Sequence, residues 1–352
     1  MFSAVAGFRY LTSNEINPAI AYADPGPYAE WGIKKWSDVT GFGTAFYAPS
    51  FPGSTLGAGR VTFSPTNEYV AYARTQTHPI GVTVFNWTNN GFGTIFSGPN
   101  ELNIGMFSTD VKFSNDGTVI FIPMYNVNTD IGEFRAYRWS KNGFGTKYTN
   151  AAAADSGLSI WRWSTNTGFG TKYTTPSLAI EVQGGTDVTR TDSAVMLNGN
   201  FRPQEDAIML SSSLYTGLSF AAYNWNYNTG IGAKFSDPVT PFPVVPPNPV
   251  TYSQLNARFT KTGNEVIGGT AGTPFLFAYA WNNGWRSKYP NPSIIPGSGI
   301  GATTITSNAV ATAIPSPSFS PPAYRWSASG FGTKYTTTYP DFAGALDVCF
   351  TN

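Results

Sequence analysis

The sequence predicts an all-β chain, residues 1–352 forming one seven-bladed β-propeller of four-stranded antiparallel blades. Three observations predict it. An aromatic strand ending in Trp recurs seven times, each time followed by a turn built around glycine. Most copies lie about 50 residues apart, a period typical of propellers and similar arrays. A second phrase, strand, tight turn, strand, lies upstream of most Trp strands, so one period holds the four strands of one blade.

In chain order, Trp36 leads into Gly41-Phe42-Gly43-Thr44 and Trp87 into Gly91-Phe92-Gly93-Thr94. Trp139 leads into Gly143-Phe144-Gly145-Thr146-Lys147-Tyr148, and Trp163 into Gly168-Phe169-Gly170-Thr171-Lys172-Tyr173. Trp225 opens a worn copy, Gly230-Ile231-Gly232-Ala233, and Trp281 a second one, Asn283-Gly284-Trp285. Trp326 closes the series with Gly330-Phe331-Gly332-Thr333. The glycines open backbone conformations closed to residues with a Cβ. The Phe between them is then expected to fold back over the strand ends or between blades.

The upstream hairpin is clearest at Asp110-Val111-Lys112-Phe113-Ser114-Asn115-Asp116-Gly117, followed by the apolar run Val119–Ile122. Asn, Asp and Gly tolerate positive φ, so this is a hairpin signal. Val61–Tyr72, Phe201–Leu210 and Arg258–Ile267 repeat the unit. The Trp strands carry apolar bulk at both odd and even positions, as expected of strands covered on both faces.

Two irregularities stand out. The third and fourth glycine turns are only 25 residues apart and the next interval is 62. The fourth blade is therefore expected to be abbreviated or completed out of order, and the blade count falls to six if the short interval marks an inserted hairpin. At the end of the chain, Asp347-Val348-Cys349-Phe350 matches Asp110-Val111-Lys112-Phe113, while Ala19–Ala23 resembles the second strand of a blade. The two segments are expected to share one blade and close the ring. Pro-rich stretches at 238–250 and 315–322 read as long loops, since Pro cannot donate to a ladder.

Composition bounds the function. Charged residues are 12%, about half the usual share. Net charge is +1 with no basic run, which argues against nucleic-acid binding. One Cys supplies neither a disulfide nor a Zn cluster. The segment after Met1 lacks the pattern of a signal peptide, and no apolar run approaches a spanning helix. These features suggest a soluble protein made in the cytoplasm, without membrane insertion.

The Asp-Val-Lys-Phe-Ser-Asn-Asp-Gly phrase followed by a Trp strand resembles WD-like propeller repeats, though the Gly-His and terminal Trp-Asp pairs of eukaryotic WD repeats are missing. The Trp-x-x-x-Gly-Phe-Gly-Thr-Lys-Tyr phrase resembles repeats in propeller proteins of tailed bacteriophages. The resemblance spans nearly the whole chain. It implies a non-enzymatic virion component at the tail or particle surface, used for assembly or host attachment. Its partners would be other virion proteins in a homo- or hetero-oligomeric assembly, with a host surface glycan as a further partner, and it would be assembled in the host cytoplasm.

Chemistry is sparse. His78 is the only histidine and sits in a polar loop. Asp110, Asp116 and Asp347 occupy repeat positions, which favours structural roles. Glu205–Asp206 and Asp187/Asp192 are the evident acidic pairs, and 187–192, the least repeat-like acidic stretch, is a candidate cation or ligand site. A glycosidase-like or lyase reaction needs two carboxylates about 5–10 Å apart. Gly-x-Gly here leads into a strand and not a helix, so it is no phosphate cradle. The sequence thus implies no catalytic residue, no metal ligand and no cofactor. Trp31, Trp161 and Trp285 lie outside the seven repeat positions and are the candidates for stacking on sugar rings in an alternative, carbohydrate-binding reading.

Overall fold

A computed structural model describes residues 18–23, 32–46, 49, 59–73, 81–99, 106–108, 110–126, 131–152, 158–178, 188–197, 199–211, 220–243, 256–270, 273–296, 300, 302–314, 322–336, 345 and 347–351. Trp31, His78, Asp187 and the Pro-rich positions 244–250 and 315–321 lie outside them. Among the described residues every regular element is a strand, and the strands form seven antiparallel sheets.

From outer edge to centre, blade 2 is Gly91–Ser97, Val82–Thr88, Tyr69–Ala73 and Arg60–Phe63. Blade 5 is Gly230–Lys234, Phe220–Asn226, Ala207–Ser211 and Asn200–Phe201, and blade 6 is Trp285–Lys288, Leu276–Trp281, Glu265–Gly269 and Asn256–Phe259. Blade 7 is Gly330–Lys334, Ala323–Ser327, Ala309–Ala313 and Ala302–Ile305. In blade 3 both edges are broken: Gly143–Lys147 with Ala151–Ala152 outside, and Met106–Ser108 with Lys112–Phe113 inside, flank Ile131–Ser140 and Val119–Asn126.

The two irregular blades resolve as the sequence spacing predicts. Blade 4 is completed out of order: Ser159–Ser164 and Gly168–Lys172 form its outer half, and the later strands Val188–Arg190 and Ala194–Leu197 form its inner half. Blade 1 takes Ala19–Ala23, Gly32–Ser37 and Gly41–Ala45 from the start of the chain and its innermost strand, Asp347–Phe350, from the end. Ile20 pairs with Phe350 and Ala23 with Asp347.

The core lies between blades. The buried apolar side chains fall into seven clusters, one in each gap between neighbouring blades. Tyr69 and Ala71 face blade 3 while Val70 and Tyr72 face blade 1, which is why these strands show no apolar–polar alternation.

Each repeat Trp sits in a box of rings. Trp139 meets Phe144 of its own turn edge-on at 5.1 Å, Phe113 of its own inner strand at 5.7 Å, and Phe96 of the preceding blade at 5.4 Å. Phe42, Phe92, Phe169 and Phe331 meet Trp36, Trp87, Trp163 and Trp326 in the same way, at 5.0–5.3 Å. Each such pair contributes about 0.5–1.5 kcal/mol beyond burial. The first glycine of the phrase makes room for the arriving ring: Gly143 has φ +91°, and a Cβ there would lie 2.8 Å from Phe96 Cδ1.

Candidate functional site

The innermost strands follow one another around the centre of the ring. In six blades the last residue of the innermost strand carries the bulk that packs between blades: Phe350, Phe63, Phe113, Phe201, Phe259 and Ile305 in blades 1, 2, 3, 5, 6 and 7. Side chains alternate along a strand, so the preceding residue points the other way, toward the centre. Those residues are Thr62, Lys112, Asn200, Arg258 and Thr304, and the register places Thr189 with them in blade 4, while the corresponding Cys349 of blade 1 packs against the core between blades 1 and 2.

Two adjoining cavities open there. The larger, about 470 Å³, is lined by Thr62, Phe63, Pro65, Lys112, Phe113, Asn115, Thr189, Arg190, Asn200, Phe201, Arg258 and Lys261. The smaller, about 270 Å³, shares Asn200, Phe201, Arg258 and Lys261 and adds a neutral wall from Thr260, Thr303, Thr304, Ile267 and Ile305. Among the described residues the larger lining holds four cations and no carboxylate.

The supporting contacts are local. Lys112 Nζ lies 3.4 Å from the fully buried Asp110 carboxylate, which also accepts the Val111 N–H at 2.8 Å. Asp347, 2% exposed, accepts the Val61 N–H at 3.0 Å and so ties blade 1 to blade 2. Asn200 accepts the Phe259 N–H at 2.9 Å, joining blades 5 and 6, and Asn115 donates to Asp192 at 3.1 Å, joining blades 3 and 4. Asp206 pairs with Arg202, whose Nε donates to Gly263 O at 2.8 Å. Burial lowers the Arg190 guanidinium to about 10, against the pull of Asp116 and Asp192, so it stays cationic at neutral pH. Burial pushes the Cys349 thiol up, and Lys112 and Arg258 only partly offset this. Burial beside Asp192 likewise raises Glu205.

Of the tryptophans proposed for sugar stacking, the two among the described residues, Trp161 and Trp285, line neither cavity. Trp161 is 4% exposed in the gap between blades 3 and 4, against Phe134 at 5.6 Å and Phe169 at 6.1 Å. Trp285 fills the turn position held by Phe in other copies, against Trp281 at 5.3 Å and beneath Phe242 at 4.9 Å. That Phe242 comes from the described part of the first Pro-rich loop, which Tyr279 pins through the carbonyls of Thr240 and Pro241. Among the described residues, no group of three or more His, Cys, Asp and Glu is placed to hold a metal ion. Arg190 falls within the stretch 187–192 that the sequence offers as a candidate ligand site, whereas no motif in the sequence singles out Lys112, Arg258 and Lys261. The available signal was the residue before the repeat Phe, which is Thr, Lys, Asn, Arg or Cys in five copies.

No protein-family model and no curated protein matches the chain in sequence. Solved structures do match in fold. A candidate 6-phosphogluconolactonase from Bacteroides uniformis aligns over 96% of this chain and 100% of its own, with a TM-score of 0.59 at 12% identity. The periplasmic gluconolactonase of Pseudomonas aeruginosa aligns over 95% and 99%, with a TM-score of 0.46 at 10% identity. A functionally unknown protein from Desulfotomaculum acetoxidans aligns over 95% and 88%, with a TM-score of 0.44 at 11% identity.

These comparisons correct the expectation from the repeat phrase. The seven-bladed propeller stands, but the WD-repeat and bacteriophage parts of the resemblance find no family match. The reading as a non-enzymatic virion component used for assembly or host attachment is overturned, because the full-length fold match is to a candidate lactonase. The physical reason is visible in the Trp boxes. Gly-Phe-Gly-Thr packs one blade against the next, so it reports blade construction and carries no information about a phage particle or the absence of catalysis.

Proposed function

We propose that the central cavity binds a small anionic ligand and that the chain hydrolyses a sugar-acid lactone there. The observation that carries this reading is the lining of the larger cavity, with Lys112, Arg190, Arg258 and Lys261 and no carboxylate among the described residues, in a chain of net charge only +1. A carboxylate or phosphate group is the complement of such a wall. The reaction class is suggested by the name of the Bacteroides uniformis protein, whose whole length this fold matches.

In that reaction water adds to the lactone carbonyl, the ring C–O bond breaks with its oxygen leaving as a hydroxyl, and the hydroxy-acid carboxylate and one proton are released. Negative charge grows on the carbonyl oxygen as water adds. Fixed cations in a partly enclosed cavity stabilise it, an effect that is commonly the largest single contribution to such catalysis. The neutral wall formed by Thr303, Thr304 and Asn200 suits the hydroxyls of a sugar ring.

The test is pH-stat hydrolysis of glucono-δ-lactone and its 6-phosphate by the full chain, with calorimetric titration of 6-phosphogluconate. Turnover above the buffer rate is expected, with Lys261→Ala lowering kcat/KM about tenfold at little cost in stability, since Lys261 is exposed at the cavity lip. No acceleration of either lactone together with no heat from 6-phosphogluconate would remove the proposal.

A further inference from the structure

Six of the seven blades place an apolar residue at the last inner-strand position before the hairpin turn, and blade 4 places Arg190 there. The equivalence is fixed by register. Arg190 pairs with Val195 as Phe113 pairs with Ile120, and the next residue closes the turn in both blades, Thr191 N–H to Ala194 O and Ser114 N–H to Val119 O, each at 2.8 Å. In five blades the Phe at this position meets the Trp of its own blade at 4.9–5.8 Å. Blade 4 lacks that ring and has a guanidinium in the wall of the larger cavity instead.

The guanidinium is not fully engaged by the protein. Its Nε is buried and has no hydrogen-bond partner among the described residues. The two carboxylates that attract it are held by other groups: Asp116 accepts from Ser114 at 2.6 Å and from the Thr118 hydroxyl at 2.8 Å, and Asp192 accepts from Asn115 at 3.1 Å. A buried N–H left without an acceptor costs stability, and an apolar side chain at this position would avoid that cost. The arrangement makes sense if an oxyanion completes it.

We propose that Arg190 is the specificity-determining residue of the cavity, its planar guanidinium taking a carboxylate or phosphate-monoester group of the ligand in a two-point contact, with Lys112 and Arg258 as further cations in the same wall. This deepens the proposed function only in requiring an anionic ligand; it does not depend on lactone hydrolysis. Arg suits planar, bidentate recognition better than Lys, whose ammonium is a point charge.

The experiment titrates the full chain with 6-phosphogluconate and with inorganic phosphate, and compares Arg190→Phe, Arg190→Lys and Arg190→Met. R190F restores the residue of the other blades and is expected to melt no lower than the parent chain while binding 6-phosphogluconate at least about tenfold more weakly. R190K is expected to retain an intermediate affinity, and R190M, which keeps an aliphatic stem, gives the same loss if the aromatic ring disturbs packing. Binding by R190F and R190M within about twofold of the parent overturns the inference. A parent chain that binds 6-phosphogluconate but hydrolyses no lactone leaves this inference standing and removes the reaction. A parent chain that binds neither anion overturns both.

Discussion

Replacing Gly143 by Ala tests the reason for the repeat phrase. The backbone at Gly143 has φ +91°, which an L-residue adopts only with strain of roughly 1–3 kcal/mol. The new Cβ would also stand 2.8 Å from Phe96 Cδ1, and Phe96 is wedged against Trp139 at 5.4 Å. Relieving such an overlap in a packed interior costs about 1–3 kcal/mol. The reduced freedom of the unfolded chain returns about 0.4–1 kcal/mol, leaving a net loss of about 3 kcal/mol. For a chain of 352 residues the unfolding entropy is about 0.7 kcal/mol/K, so Tm falls by about 4 °C. Gly145→Ala is the control. Its Cβ would meet Arg138 Cβ at 3.3 Å with no positive φ to strain, so its expected change is within about 1 °C. Scanning calorimetry of both variants reads the difference. In a Phe96→Ala background the overlap is gone, and G143A should then cost only the backbone strain. A G143A chain that melts with the parent, or a G145A chain that falls as far as G143A, refutes this account of the glycine.

Two further outcomes follow from the closure and from the turns. Phe350→Ala removes the ring that the last strand sets against Trp36 at 4.9 Å, and about 3–5 kcal/mol should be lost in urea titrations; a loss below about 1 kcal/mol would show that this strand does not close the ring. Burial opposes ionisation of Asp116, but hydrogen bonds from Ser114 and Thr118 outweigh it and hold the carboxyl below its ordinary value. A carboxyl depressed in the folded state stabilises above its unfolded pKa, near 4, and that contribution fades as pH falls through the folded pKa. The gap in urea midpoint between the parent and Asp116→Asn should therefore narrow between pH 6 and pH 3, and a constant gap would contradict the assignment.

The architecture was legible because each blade repeats the same mechanical problem. Trp139 needs Phe144 beside it and Gly143 beneath the arriving Phe96, so the solution is written into contiguous residues. The permuted fourth blade showed as one short and one long interval, and ring closure as the match of Asp347–Phe350 to Asp110–Phe113. The cavity was not legible in the same way. Lys112, Arg190 and Arg258 come from blades 3, 4 and 6, and each sits in an ordinary strand sequence. Their charges converge only when the ring closes. Trp161 misled for the complementary reason: outside the repeat position, it still lies two residues before Trp163 on the same strand and shares its buried face.

The last described strand also brings Thr351 to the same end of the ring as the cavity lip. Thr351 corresponds in register to Ser64, Ser114 and Thr260, and the residues after those, Pro65, Asn115 and Lys261, form the cavity lip. Thr351 and Ala19 are hydrogen-bonded to each other in both directions at 2.9 Å, so a tag or reporter joined close to either residue lies near the entrance to the cavity. An acidic tag placed there would compete with any anion for Lys261 and Arg258, and a polyhistidine tag would change its own charge across the pH range of an assay. Ligand measurements on this propeller should therefore be made without acidic or polyhistidine tags.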